Sequence, residues 1–205
     1  MNRFEFLYQQ LREKYGEPSG QWRLWCKRPK TEKEKQEVAM GAILTQRTNW
    51  KNVELAFSHL KKAGISSLKD IYKRGPRKIS FLIKPSGFYE AKAQYLFNLA
   101  EFILLNYGTM GLLGKQDLKK IRRELLDLKG IGPETADSIL LYALDRPVFV
   151  IDEYTRRLVK QYKLSSVLSY NFLQELFEKN LEKDFRLFQD FHGLIVIDGK
   201  NRKDK

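Results

Sequence analysis

Apolar residues in this chain recur mostly every three or four positions, which is the spacing of one face of an α-helix. Strict alternation of apolar and polar residues is almost absent, and the short run PVFVI at 147–151 is interpreted as an extended lead into a helix. The N-terminal segment shows the helical pattern most simply, and a Gly-Glu-Pro sequence at 16–18 ends it. The pattern predicts an all-α protein. The apolar face of that first helix comprises Phe4, Leu7, Tyr8, Leu11 and Tyr15.

Further helices are predicted at intervals along the chain. Two lie within 37–64, separated by the polar sequence TQRTNW, and the polar stretch 26–36 before them is predicted to be a loop running into a helix start. A short helix follows in 66–73 behind a serine cap, and a long one follows the turn at Pro85–Gly87. Later helices are predicted within 118–130, 133–144, 152–164, 170–181 and 184–200.

The sequence LKGIGPETAD at 128–137 breaks an apolar helical region and lets it resume at once. Gly130 and Gly132 stand where a helix end must reverse with a positive φ and a close backbone approach. Pro133 suits the first turn of the next helix, where its missing N–H costs nothing. Such a helix–hairpin–helix directs backbone N–H groups at a phosphate. An ordinary αα-hairpin with a glycine cap has the same local sequence.

The amino-acid composition indicates what kind of partner the protein binds. The 205 residues carry a formal net charge of +13 with a pI near 9.7, which favours a polyanion such as DNA or RNA. Charge for solubility and the Lys/Glu enrichment of heat-adapted proteins are the alternatives. Cys26 is the single cysteine, and His59 and His192 are far apart, so a cysteine- or histidine-based metal site is not expected. No signal-like or membrane-spanning run is present, and a bacterial or archaeal cytoplasmic protein is expected.

A family resemblance follows from these motifs taken together. LLDLKGIGPETADSILLYAL followed by PVFVIDEYTRRL resembles the helix–hairpin–helix and Gly/Pro–Asp signature of the HhH-GPD, or endonuclease III, superfamily of DNA glycosylases. GAILTQRT, IKPSGFYEAKAQYL and FHGLIVIDGK match further blocks in the same order, so the resemblance spans roughly 37–200. It implies a two-lobed helical fold with a central cleft, into which a nucleotide is flipped. Its lobes would be 37–140, with the hairpin at about 121–140, and 1–36 joined with 141–205.

The resemblance assigns the chemistry to Asp152. A carboxylate beneath the sugar stabilises the positive charge that develops when an N-glycosidic bond breaks, and it orients or deprotonates water. The alternative role is a helix N-cap, which is compatible with catalysis. Glu134 stands where bifunctional members carry a Schiff-base lysine, so a monofunctional enzyme is implied; alternatively it is only a first-turn carboxylate. Asp137 and Glu153 are interpreted as structural or solvated.

The same resemblance implies the DNA contacts. Gln46 would fill the space left by the flipped nucleotide, with a helix C-cap as its alternative role, and Arg47 would lie near phosphate. The hairpin would grip the backbone, with a monovalent cation held by hairpin carbonyl groups. The hairpin contacts would be Lys129, Gly130, Ile131, Gly132 and Thr135.

The substrate is inferred from two differences between this sequence and the archetypal member of the family, namely the missing cysteines and Glu134 in place of the lysine. The archetype carries four cluster-ligating cysteines after its last helix, whereas this chain ends in a basic tail with Lys200, Arg202, Lys203 and Lys205. No iron–sulfur cluster is therefore expected, and the combination with Glu134 resembles the bacterial 3-methyladenine DNA glycosylases. A cationic or electron-poor methylated purine stacks well on aromatic rings, although tryptophans usually serve packing. The proposed pocket residues are Trp22, Trp25, Trp50, Glu134 and Lys200.

The sequence therefore predicts a monomeric, cofactor-free, monofunctional glycosylase that acts on double-stranded DNA containing a damaged base. An alkylated purine has a weakened glycosidic bond, so a site with little acid catalysis would suffice. Three alternatives stay open: a uracil/thymine mismatch glycosylase, a bifunctional glycosylase/AP lyase, and a non-catalytic helix–hairpin–helix DNA-binding module.

Overall fold

The computed structural model describes residues 1–202, and over those residues it contains thirteen α-helices and no strand. A 3₁₀ helix, Phe81–Ser86, and a π-helical segment, Ile139–Ala143, are inserted between them. The predicted all-α class is confirmed, and 147–151 forms neither a helix nor a strand. Within this described part, none of the helices combines the length and apolarity needed to cross a membrane. Lys203 and Lys205 of the basic tail lie outside the described residues.

The chain divides into two compact units, Pro29–Leu144 and the pair Met1–Arg28 with Asp145–Lys205. The division falls at 28/29 and 144/145, whereas the sequence placed it at 36/37 and 140/141. The difference has a local cause at each point. Helix α3, Glu32–Leu44, begins before position 37, and the helix after the hairpin continues through the π-helical segment to Ala143.

The unit Pro29–Leu144 is built around helix α3. Its last seven residues, 38–44, are all buried, so this helix is enclosed by neighbours on every side. Thr31 and Glu34 start it with a reciprocal capping box, and Ser67 caps α5 as predicted. The helices of this unit are α3 Glu32–Leu44, α4 Trp50–Lys62, α5 Leu68–Arg74, α6 Pro76–Ser80, α7 Tyr89–Asn106, α8 Met110–Leu113, α9 Leu118–Leu126 and α10 Pro133–Ser138.

The second unit packs its helices around an aromatic core. Phe149, in the non-helical segment 145–151, stacks on Phe177 with ring centroids 4.3 Å apart and meets Phe188 and Phe191 edge-on. Gly193 allows close packing, because a Cβ there would lie 3.3 Å from the ring of Trp22. The last helix therefore packs closely against the short helix Trp22–Trp25. The helices are α1 Arg3–Tyr15, α2 Trp22–Trp25, α11 Glu153–Gln161, α12 Tyr170–Asn180 and α13 Phe185–Asn201.

Candidate active site

The hairpin between α9 and α10 uses its two glycines differently. Gly130 has φ +90°, and a Cβ there would lie 2.2 Å from the ring of Tyr95, so both the conformation and the close approach require glycine. Gly132 has φ −87° and ψ 178°, which is ordinary extended backbone, with open space where a Cβ would be. The expectation of a positive φ is therefore correct for Gly130 and wrong for Gly132. As the N-cap of α10, Gly132 offers no side chain to the first-turn N–H groups.

An ion pair joins the two helices of the hairpin. Arg122 on α9 binds Asp137 on α10 through two hydrogen bonds, Nε to Oδ1 at 2.8 Å and a terminal nitrogen to Oδ2 at 3.0 Å. Asp137 is fully buried, so the pair links the two helices, in agreement with the structural interpretation of this residue. Pro133 stands in the first turn of α10 as expected, and Glu134 beside it is exposed.

Gln46 is bound to the hairpin rather than to its own helix. Its Nε2 donates to the carbonyl oxygen of Gly130 and to Oγ1 of Thr135, each at 2.9 Å. The C-cap of α3 is Thr45, so the alternative of a helix cap does not describe Gln46. Ile131 and Thr135 are both buried. The side chain of Ile131 therefore packs in the core, and the DNA contact expected at the hairpin tip stays a prediction for its backbone.

The sequence interpretation missed Phe88. This phenylalanine is 65% exposed and has a left-handed φ of +45°, which is rare for a bulky residue and marks a strained position. It lines a depression of about 490 Å³ together with Gln46, Arg47 and Gly132. Arg47, itself exposed, has φ +52°. The sequence does contain one sign of an exposed Phe88: this large apolar residue directly follows Gly87 in a predicted turn.

Lys92 supports this side of the hairpin from within the core. It is 1% exposed, and its Nζ donates to the carbonyl oxygens of Leu44 at 2.8 Å and Ser86 at 2.6 Å. Burial lowers the pKa of Lys92 to about 8. The lysine thus ties the end of α3, two residues before Gln46, to the turn that precedes Phe88.

Asp152 begins helix α11. Its Oδ1 accepts hydrogen bonds from the backbone N–H of Thr155 at 2.7 Å and from Thr155 Oγ1 at 2.9 Å, so the predicted N-cap is confirmed. Its Oδ2 lies 3.6 Å from Nε2 of His192, a buried residue on α13. Burial alone would raise the pKa of Asp152, but His192 and the Thr155 hydrogen bonds outweigh burial and hold that pKa below its ordinary value. The carboxylate is therefore ionised and oriented.

The other residues of the predicted pocket divide between the two units. Trp22 and Trp25 are buried, with rings 5.6 Å apart edge-to-face, and the ring of Trp22 lies 5.8 Å from that of His192. Lys200 donates to Oε1 of Gln21 at 3.2 Å. Burial lowers the pKa of Lys200, and the attraction of Asp152 opposes that change. Trp22 thus packs against His192, the neighbour of Asp152, and Lys200 interacts electrostatically with Asp152.

Trp50 lies in the other unit, at the start of α4. It is half-buried, and its Nε1 donates to Oε1 of Glu54 at 2.9 Å. Glu153, by contrast, is an exposed residue that forms a pair with Arg157 at 3.3 Å, in line with its solvated interpretation. Over residues 1–202, no group of three or more His, Cys, Asp or Glu side chains is placed to hold a metal ion.

Comparison with known proteins agrees with these features. Residues 40–183 match the HhH-GPD family, described as the HhH-GPD superfamily of base excision DNA repair proteins. A Methanocaldococcus jannaschii protein, to which a DNA repair glycosylase role has been assigned by inference, is 45% identical over 163 residues, covering 78% of this chain and 74% of its own length.

Solved structures extend the match to the whole fold. The H. pylori 3-methyladenine DNA glycosylase bound to 1,N6-ethenoadenine is 30% identical, with a TM-score of 0.82 and full coverage of both chains. A non-covalent endonuclease III–DNA complex shares the fold at 15% identity, with a TM-score of 0.75 over 98% of this chain and 87% of that one. The chain belongs to the HhH-GPD superfamily of base excision DNA repair proteins and is a DNA glycosylase of that superfamily.

Proposed function

We propose that the chain is a monofunctional glycosylase that hydrolyses the N-glycosidic bond of an alkylated purine such as 3-methyladenine and leaves an abasic site. The observation that carries this proposal is the carboxylate of Asp152. One of its oxygens is fixed by Thr155 and the other faces His192, and its pKa lies below the ordinary value after opposing effects of burial and pairing. Such a group is ionised at neutral pH and has a defined orientation.

The chemistry assigned to Asp152 follows from this environment. Breaking the bond between sugar and base builds positive charge on the sugar ring, as in glycoside hydrolysis. A fixed carboxylate stabilises that charge without reorganising. The same carboxylate accepts a proton from the attacking water. Asp152 would thus serve both as electrostatic stabiliser and as base.

DNA binding is assigned to the hairpin unit. Lys129 is exposed on the turn, and the N-terminus of α10 begins at a glycine without a capping side chain, which suits a phosphate. Phe88 and Gln46 border one depression, and we assign them to the space that a flipped nucleotide leaves in the stack. Arg47 lines the same depression and would contact phosphate. The strain at Phe88 is consistent with a residue kept for binding.

The preference for an alkylated purine is supported by the 30% identical H. pylori enzyme, whose name specifies 3-methyladenine. Trp22, Trp25, Trp50, Glu134 and Lys200 remain the proposed base-contacting residues. The burial of Trp22 and Trp25 also fits packing, and Trp50 is the more accessible of the three.

A glycosylase/AP lyase is the second candidate, and one observation favours it. Burial lowers the pKa of Lys200, and its amine lies within the electrostatic influence of Asp152. A lysine with a lowered pKa is a better nucleophile for imine formation at neutral pH. Against this, the position at which bifunctional members carry their lysine holds Glu134. Lys92 also has a lowered pKa, but two carbonyl groups bind its ammonium.

Borohydride trapping separates these two candidates. The wild-type protein, Lys200→Met and Lys92→Met are incubated with damaged duplex and borohydride. A monofunctional enzyme gives no covalent protein–DNA adduct. An adduct that disappears in Lys200→Met would establish the lyase and overturn the monofunctional proposal.

The substrate class is tested with a panel of duplexes that carry 3-methyladenine, 7-methylguanine, uracil, a T·G mismatch or 8-oxoguanine. Release of a methylated purine is the expected outcome, and Asp152→Asn on the same panel controls for contaminating activity. Release of uracil or thymine alone would overturn the alkylated-purine proposal in favour of a mismatch enzyme. Binding without release of any base would favour a non-catalytic module.

The cofactor and partner predictions stay proposals. A monovalent cation at the hairpin would be bound by backbone carbonyl oxygens. The oxygen of Leu128 accepts a hydrogen bond from Ile131, and that of Gly130 accepts one from Gln46. Each of these oxygens has a second lone pair that could bind the cation. The absence of an iron–sulfur cluster rests on Cys26 being the single cysteine. We further propose that the protein is a monomer and acts on damaged duplex DNA in the cytoplasm.

A further inference from the structure

His192 is held firmly beside the carboxylate of Asp152. Its ring is buried on α13, and it meets the rings of Trp22 and Phe149 edge-on at 5.8 Å and 6.4 Å. These two contacts come from different segments, α2 and the non-helical run before α11. The position of the imidazole is therefore set by packing, independently of its interaction with Asp152.

The two oxygens of Asp152 have different neighbours. Oδ1 accepts both hydrogen bonds from Thr155, whereas Oδ2 faces Nε2 of His192 at 3.6 Å. A carboxylate held at one oxygen can still rotate about the bond to its Cβ. A second neighbour at the other oxygen defines the plane of the group, and a defined plane is what a base or charge stabiliser needs.

We propose that His192 is the positioning residue of the active-site carboxylate, orienting Oδ2 of Asp152 during base release. The inference rests on the proposed role of Asp152. His192 transfers no proton to the departing base in this scheme. It acts through Asp152, and its effect is seen in the rate and in the acidic limb of the pH profile.

Electrostatics gives the direction of that effect. Burial pushes the pKa of Asp152 upward, and His192 is the largest of the influences that lower it, followed by Thr155. From α13, Lys200 is a further charged group coupled to Asp152. The rings of Trp22 and Phe149 face His192 and carry no charge. Removing the imidazole therefore raises the pKa of Asp152, and activity is lost at a higher pH as the solution is acidified.

The test compares His192→Leu, His192→Gln and the matched control His59→Leu, a histidine of α4 in the other unit. Single-turnover release of methylated purines from dimethyl-sulfate-treated duplex is measured from about pH 3.5 to about pH 9, with a protein-free control for acid-catalysed depurination at each pH. If the duplex panel identifies another lesion as the substrate, a duplex that carries that lesion replaces the methylated duplex in this assay.

For His192→Leu we expect a rate at neutral pH lower by roughly 10- to 100-fold and an acidic limb shifted to higher pH. His192→Gln places an amide donor near the position of Nε2, so it recovers much of the rate. Because the amide is neutral, the acidic limb stays shifted. His59→Leu leaves both unchanged. Thermal melting and affinity for the damaged duplex show whether each variant is folded.

The outcomes separate this inference from the proposed function. If Asp152→Asn releases base at the wild-type rate, the proposed function fails. If Asp152→Asn is inactive while His192→Leu keeps the wild-type rate and limb, the positioning role alone is wrong. A folded His192→Leu protein that is slower by the same factor at every pH, with no recovery in His192→Gln, also overturns it. The double variant is expected to be no slower than Asp152→Asn.

Discussion

The hairpin and the surroundings of Asp152 differ in the groups that they present: backbone groups in the hairpin, and side chains around Asp152. The hairpin presents backbone: a glycine N-cap, an exposed lysine and a turn that closes within a few residues. Asp152 is surrounded by side chains from distant parts of the chain, including His192 forty positions later. Binding a regular phosphate backbone requires main-chain donors that local sequence supplies, whereas chemistry at one bond requires side chains converged by tertiary packing. The comparison predicts that variants in one region change affinity and variants in the other change rate.

The largest effect is expected for Asp152→Asn. The amide is nearly isosteric but carries no charge, so stabilisation of the sugar cation is lost and base release slows by roughly 10³-fold. Thr155 still has an acceptor at the cap, so folding and damaged-duplex affinity stay close to wild type. Single-turnover kinetics and fluorescence anisotropy measure the two quantities. A parallel loss of affinity would contradict the separation of binding from chemistry.

The next effect concerns the two hairpin glycines. Gly130→Ala places a Cβ against the ring of Tyr95 at a positive φ, so the free energy of unfolding should fall by about 2–4 kcal/mol. Gly132→Ala meets nothing within 4 Å and has an ordinary φ, so it should leave stability nearly unchanged. Its methyl group would instead obstruct the approach of a phosphate and weaken DNA binding. Chemical denaturation and DNA titration of both variants test this; equal stability of the two would refute the distinction.

Lys92 provides a pH-dependent test of the support beneath Gln46. With a folded pKa of about 8 against an ordinary 10.5, the native state binds fewer protons than the unfolded chain between those values. The free energy of unfolding therefore rises with pH over that window, by at most about 3 kcal/mol, because the carbonyl partners oppose the shift.

Lys92→Met should lose this rise and, at neutral pH, about 2 kcal/mol of stability, because two buried carbonyl groups lose their donor. Urea denaturation at several pH values measures both effects. The same pH dependence in wild type and variant would show that Lys92 is not the group responsible.

The smallest effect is expected for Lys129→Ala. An exposed lysine that contacts one phosphate contributes about one released counterion, so the slope of log affinity against log salt should fall by about 0.9. Base release at saturating protein should be unchanged. Lys179→Ala, an exposed lysine of α12, is the matched control and should retain the wild-type slope. An unchanged slope in Lys129→Ala would remove this lysine from the interface.

Local features of the fold were predictable because their causes are local. Ser67 and Asp152 act as N-caps, Pro133 starts α10, and Gly130 takes the positive φ that its turn requires. In each case the residue type satisfies nearby backbone groups or adopts a conformation that others avoid. The unit boundaries were less accurate, because α3 and the π-helical segment extend past the points at which polarity changes.

The sequence by itself determined the all-α class, the hairpin, the capping carboxylate and, through a family resemblance, the class of enzyme. Tertiary structure alone decided that Gln46 binds the hairpin, that Ile131 is buried, that Phe88 is exposed and that His192 faces Asp152. The physical reason is the range of the interactions. Helix periodicity, caps and turns act over a few residues, whereas burial and side-chain pairing depend on which distant segments pack together, and a histidine far from its partner in sequence gives no local sign of that contact.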